Sequence, residues 1–118
     1  MNQPDSVRLR KIIDMAGKLL DYIRENRITE EDILSSYTVQ WTITTPLYNI
    51  GEHTYHLSPE LKAAHDEVPW SQIAGMRHRL VHQYEDTNWS IISYVVFHEL
   101  EPYMNQLTDI LSTLSSKR

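Results

Sequence analysis

The run Met76-Arg77-His78-Arg79-Leu80-Val81-His82-Gln83-Tyr84 brings two guanidinium groups, two imidazoles and a phenol onto one predicted helix. Arginine is permanently charged and holds phosphate oxygens through a planar fork of N–H donors, while histidine exchanges a proton near neutral pH. That pair suits metal-free chemistry at a phosphodiester. RNA carries its own nucleophile, the 2′-hydroxyl, so a protein needs only to align that hydroxyl with the adjacent phosphate, move protons and stabilise the developing charge. Arg77 is the candidate phosphate grip and His82 the candidate proton donor or acceptor. At 100° per residue, Tyr84 lies almost over Arg77, whereas His82 sits about 140° around the helix. One helix therefore does not close a compact triad. The substrate must bend around it, or a second subunit must supply the other wall.

The elements that position this run are helical. Leu9, Ile12, Ile13, Ala16, Leu19, Leu20 and Ile23 recur at three- and four-residue intervals and predict a first helix from about Ser6 to Arg24. Thr29 followed by Asp32 predicts a capped start for a second helix, with Ile33, Tyr37, Trp41 and Leu47 or Tyr48 on its core face. Pro46 removes a backbone donor and predicts a bend in that helix. Ser58-Pro59 predicts an N-cap with proline at the first helical position, opening a short helix to about His65. A further helix is expected over 70–84, packed through Ile73, Leu80 and Val81, with Gly75 marking a close crossing. The last runs from about Trp89 to Leu114 and bends at Pro102. The expected fold is all-α, an up-and-down four-helix bundle with an additional short helix, in one domain over residues 1–118.

With 11 Lys and Arg against 16 Asp and Glu, the formal charge of −5 argues against broad nonspecific binding of nucleic acid. Local basic groups still permit a site, either around Arg77 or at Arg8, Arg10 and Lys11. The absence of cysteine removes disulfides, a thiol nucleophile and Cys-based zinc sites, and suits a reducing cytoplasm. The N-terminal residues lack a signal peptide's basic and apolar regions, and no uninterrupted apolar run could span a bilayer, so a cytoplasmic protein without membrane contact is expected. No phosphate-loop or dinucleotide glycine pattern occurs. His78 and His82, or His53, His56 and His65 if folding gathered them, have spacings that permit metal coordination, but there is no His-Glu-x-x-His or closed zinc pattern, so no cofactor or metal is expected. Trp41, Tyr48, Trp70, Trp89 and Phe97 read as core or interface residues, while Tyr48 and Tyr55, around Gly51, are also placed to flank a cleft.

Arg77-x4-His82-x-Tyr84, preceded by Pro69-Trp70-Ser71-Gln72-Ile73-Ala74-Gly75-Met76 and accompanied by the Gly51-Glu52 region, resembles the signature of the HepT-like family, also called DUF86, within the HEPN superfamily. The resemblance runs from about residue 8 to residue 112. It implies a homodimeric, metal-independent endoribonuclease toxin paired with a minimal nucleotidyltransferase antitoxin. By that resemblance Arg77 and His82 carry RNA cleavage at a dimer cleft, and Tyr84 accepts AMP groups that silence the enzyme. Such an adduct would add bulk and negative charge beside Arg77. His78 stands where the family often has asparagine, which leaves its contribution open; His78 and Arg79 are the candidate substrate contacts. The alternative from a different class is a noncatalytic helical module that binds a nucleotidyltransferase without turning over RNA.

Overall fold

The computed structural model describes residues 4–82 and 87–116. Among these the fold is all-α, without strands: α1 Asp5–Glu25, α2 Glu30–Ser35, α3 Tyr37–Tyr55, α4 Pro59–Ala64, α5 Trp70–Ala74, α6 Met76–His82, α7 Trp89–Tyr94, a π-helical segment Val95–Glu99, and α8 Leu100–Ser116. The helical path continues through Gly75, which lies in the right-handed α region, so α5 and α6 form one interrupted rod. Likewise α7, the π segment and α8 run without a gap. Among the described residues, six rods therefore replace the expected four-helix bundle with an additional short helix.

The start and stop signals explain much of this division. Leu9, Ile12, Ala16, Leu19, Leu20 and Ile23 are buried along α1 as their spacing predicts. The helix closes where Arg27 takes φ 53 and Ile28 N–H donates to Ile23 carbonyl at 2.9 Å, a Schellman-type ending. Thr29 and Asp32 form a reciprocal capping box at the start of α2. Ser58 caps α4 through Leu61 N–H, and its own N–H and hydroxyl donate to the Asp5 carboxylate at 2.9 and 2.6 Å. That pair ties the start of α4 to the start of α1.

The second predicted helix departs from expectation. It breaks at Ser36, ten residues before Pro46, because Ser36 is extended and its hydroxyl accepts from Val39 N–H to start a new helix. Pro46 remains inside α3. The break resets the helical phase, so Ile43, Leu47 and Ile50 face the core while Tyr37 and Trp41, expected there, are 62% and 58% exposed. They pack edge to face against each other instead. Pro102 likewise lies inside α8, and the irregularity sits just ahead of it in the π segment, where Leu100 N–H reaches Val95 carbonyl. The wider turn accommodates a ring that has no N–H and crowds the carbonyl four residues earlier.

In the core, α1 packs on α3 and α8, α3 on α5 and α6, and α2 on α7. Fully buried Tyr103 anchors α8, sharing a 2.6 Å hydrogen bond with buried Thr54 and meeting Trp70 edge to face. Burial pushes the Tyr103 phenol well above its ordinary pKa, with the Thr54 bond acting in the opposite direction. Val81, expected in the core, is exposed; Met76 and Leu80 supply the buried face of α6. A close crossing does occur, but its glycine lies on α3. A Cβ on Gly51 would come within 2.9 Å of Arg77 N and 3.1 Å of Ile73 carbonyl oxygen, whereas the nearest atoms to one on Gly75 are Ser71 and Gln72 carbonyl oxygens of its own turn.

Candidate active site

Because Gly51 has no side chain, the backbone of α3 lies directly against the α5–α6 rod at Arg77. The next exposed face of α3 carries Glu52, Tyr55 and His56, whose three- and four-residue spacing puts them on one side. Arg77 reaches across to that face. Its Nη1 lies 3.5 Å from Glu52 Oε1, and its guanidinium carbon is 3.8 Å from the centre of the Tyr55 ring. Both charged side chains are one-third exposed, so the pair is neither buried nor fully solvated. The other carboxylate oxygen of Glu52 lies 3.1 Å from His56 Nε2. Glu52 thus holds Arg77 with one oxygen and His56 with the other, and the Tyr55 ring forms the floor beneath the guanidinium.

This geometry does two things for an arginine. The carboxylate and the ring limit where the guanidinium points, and among the described residues the long contact with Glu52 engages one guanidinium nitrogen, Nη1. Sequence reasoning identified Arg77 but not the Glu52, Tyr55 and His56 face as its setting. The one-sided spacing was present in the sequence; the pairing of that face with α6 was not.

On the neighbouring side of α3, Arg8 Nη1 is 3.0 Å from His53 Nδ1. Arginine can only donate, so His53 Nδ1 accepts and the ring is neutral in this arrangement. Its pKa is lowered, first by burial and then by Arg8 and Lys11, with a smaller contribution from His56; Glu52 pulls in the opposite direction. Lys62 on α4 donates to the Tyr55 carbonyl at 3.0 Å, and its ammonium lies 6.0 Å from the Tyr55 ring centre. Burial lowers the Lys62 pKa, while Asp5 raises it.

The other predicted residues are distributed more widely. Arg79 is two positions from Arg77, hence on a different side of α6, and lines a groove of about 570 Å³ with Ser71, Gln72, Gly75, Ser90, Ile91 and Tyr94. His78 is exposed. His82 is the last residue of α6, and Tyr84 lies outside the described residues. Three of the histidines with metal-permitting spacing have other contacts: His53 with Arg8, His56 with Glu52, and His65 with Glu67. Among the described residues, no group of three His, Cys, Asp or Glu side chains is placed to hold a metal ion. Nor is any described helix long and apolar enough to cross a membrane.

The family model for ribonuclease HepT-like proteins matches residues 8–110, the region containing α3, Arg77 and His82. The chain belongs to the HepT-like family. It is 33% identical over 88 residues to a protein of Caldanaerobacter subterraneus subsp. tengcongensis that bears a provisional RNase name, covering 75% of this chain and 79% of the relative. A probable ribonuclease HepT of Thermococcus cleftensis is 32% identical over 76 residues, covering 64% of this chain and 67% of the relative. A third relative, from Methanocaldococcus jannaschii and also provisionally named as an RNase, is 23% identical over 109 residues, covering 92% and 88%. No solved structure matches the chain.

Proposed function

We propose that this HepT-like protein is a metal-independent endoribonuclease toxin in which Arg77 holds the scissile phosphate and His82 transfers a proton. The observation that carries this reading is the presentation of Arg77, stacked on Tyr55 and steadied by Glu52, five residues before His82 on the same helix. In the reaction the 2′-oxygen loses its proton and bonds to phosphorus, the bond from phosphorus to the 5′-oxygen breaks, and that oxygen gains a proton. The products are a 2′,3′-cyclic phosphate end and a 5′-hydroxyl end. Arg77 stabilises the charge on the equatorial oxygens, while His82 serves in one of the two proton transfers. Arg79 and His78 are the proposed contacts to the flanking strand. A homodimer supplies the second wall of the cleft.

Silencing in this reading comes from a minimal nucleotidyltransferase antitoxin that transfers AMP to Tyr84. The tyrosine oxygen gives up its proton and displaces pyrophosphate from ATP, and the resulting phosphodiester adds negative charge seven residues after Arg77 in the sequence. Metal-free cleavage by wild type and by Arg77→Ala and His82→Ala proteins, matched for helix content and dimer mass, tests the central claim. Both variants are expected to lose most cleavage, and full activity in both would refute it. Incubation with the partner and ATP should add AMP to wild type but not to Tyr84→Phe, as read by intact mass. The second reading, a noncatalytic partner-binding module, is favoured by the exposed Leu34, Tyr37 and Trp41 side chains on α2 and α3. It predicts partner affinity with no RNA turnover by unmodified wild type.

A further inference from the structure

Tyr55 is 51% exposed although it lies beside the core, and charged or hydrogen-bonding groups from α3, α4 and α6 surround its ring. The Arg77 guanidinium stacks at 3.8 Å, the Lys62 ammonium lies at 6.0 Å, and the His56 ring meets Tyr55 edge-on at 5.1 Å. Among the described residues, two nearby carboxylates also make other bonds. Glu52 is shared between Arg77 and His56, and Asp5 accepts from Ser58 N–H and hydroxyl. Lys62 meanwhile donates to the neutral Tyr55 carbonyl, with the Asp5 carboxylate close enough to act on its charge. A chain with a formal charge of −5 thus gathers two cationic side chains around an exposed aromatic ring.

An aromatic surface beside cations is the arrangement by which proteins hold single-stranded nucleic acid, the ring stacking on a base and the cations following the backbone. We propose that Tyr55 is a base-stacking subsite for the RNA nucleotide next to the phosphate held by Arg77, and that Lys62 contacts the phosphate beyond it. This inference rests on the ribonuclease reading and extends it from the scissile phosphate to the adjoining nucleotide. Stacking tolerates every base, so the subsite contributes affinity and register rather than a strict sequence preference. Arg77 occupies part of the ring surface; the solvent-exposed part is the portion that takes the base.

The test uses full-length protein and single-stranded oligoribonucleotides in two forms: cleavable, and 2′-O-methylated to prevent attack. Each form is made intact and with single abasic positions scanned around the cut. Binding is read by fluorescence anisotropy and turnover by metal-free cleavage. For Tyr55→Leu, affinity for intact RNA is expected to fall on the order of ten-fold, whereas Tyr55→Phe and Tyr55→Trp retain it. One abasic position should produce the same loss in wild type and little further loss in Tyr55→Leu. Lys62→Ala should reduce the slope of log affinity against log salt by about 0.7.

Equal penalties for Tyr55→Leu on intact and on every abasic RNA would overturn the stacking subsite, since the ring would then act only by supporting Arg77. Wild-type affinity in Tyr55→Leu would overturn it as well. In both cases wild-type cleavage dependent on Arg77 would leave the ribonuclease reading standing. Absence of binding and cleavage by unmodified wild type would overturn both.

Discussion

Two helical glycines with different surroundings provide a direct test of the packing that carries Arg77. Replacing either by alanine removes backbone freedom from the unfolded chain and gains up to about 1 kcal/mol of helix propensity. At Gly17 the nearest atom to the new Cβ is Met104 Sδ at 3.8 Å, an ordinary contact, so the gain should be kept. At Gly51 the Cβ would stand 2.9 Å from Arg77 N and 3.1 Å from Ile73 carbonyl oxygen, and both are backbone atoms. Relief requires α3 to retreat from the α5–α6 rod by roughly half an ångström, an overpacking cost of about 1–3 kcal/mol. The net expectation for Gly51→Ala is a loss of up to about 2 kcal/mol, while Gly17→Ala gains up to about 1 kcal/mol. At roughly 4 °C per kcal/mol for a domain of this size, the two melting temperatures should move in opposite directions. Thermal unfolding followed by circular dichroism reads this difference. The same retreat would draw Arg77 from Glu52 and Tyr55, and a displacement of this kind should lower kcat for RNA cleavage on the order of ten-fold. Gly51→Ala protein that melts as high as Gly17→Ala and cleaves like wild type would refute the proposed coupling between this crossing and the site.

Other perturbations test separate parts of the structure. Tyr103→Phe strands the buried Thr54 hydroxyl and should cost about 1–3 kcal/mol by urea unfolding, with the Tyr103→Phe/Thr54→Val pair recovering part of it; equal stability of wild type and Tyr103→Phe would exclude a net contribution from that bond. The folded-state pKa of His53 is depressed, chiefly by burial and then by Arg8 and Lys11, so the unfolded chain binds the proton more readily. Its stabilising contribution is complete above the unfolded value near 6.5 and falls as pH drops from there toward the folded value. Wild type should therefore lose more stability than His53→Gln between about pH 7.5 and 5.5, and parallel melting curves would contradict that assignment. Arg27 holds φ 53 at the end of α1, where glycine carries no Cβ penalty, so Arg27→Gly should raise stability by up to about 1 kcal/mol. A lower denaturation midpoint would mean that the Arg27 side chain outweighs its backbone strain.

The readable parts of the fold were those whose causes are local. The apolar stripe of α1, the Thr29 and Asp32 capping box, and the Ser58-Pro59 start each place their determinants within a few residues. Ser36 was harder because Ile33, Tyr37 and Trp41 continue a plausible four-residue stripe straight across the break. Only the extended backbone at Ser36 reveals the change of phase that exposes Tyr37 and Trp41. The catalytic candidates were similarly divided. Arg77 stood out by type and spacing, but its neighbours Glu52 and Tyr55 come from another helix, and their relation depends on the Gly51 crossing.

That crossing also explains how one arginine is held in place yet remains available. A fully buried carboxylate pair would fix the guanidinium at a high desolvation cost and leave fewer donors for substrate. A fully solvated side chain would have to lose its rotamer freedom when RNA arrived. Arg77 lies between these limits, one-third exposed, with a ring beneath it and one carboxylate oxygen at 3.5 Å. An incoming phosphate can compete with Glu52 for N–H donors while the Tyr55 contact preserves the direction of approach. Replacing Glu52 with glutamine would separate these effects: if the carboxylate mainly steadies Arg77, kcat falls with little change in RNA affinity; if it mainly competes with phosphate, affinity rises. In the proposed reaction, the approach of two helix backbones at Gly51 therefore reaches the chemistry through the position of one guanidinium.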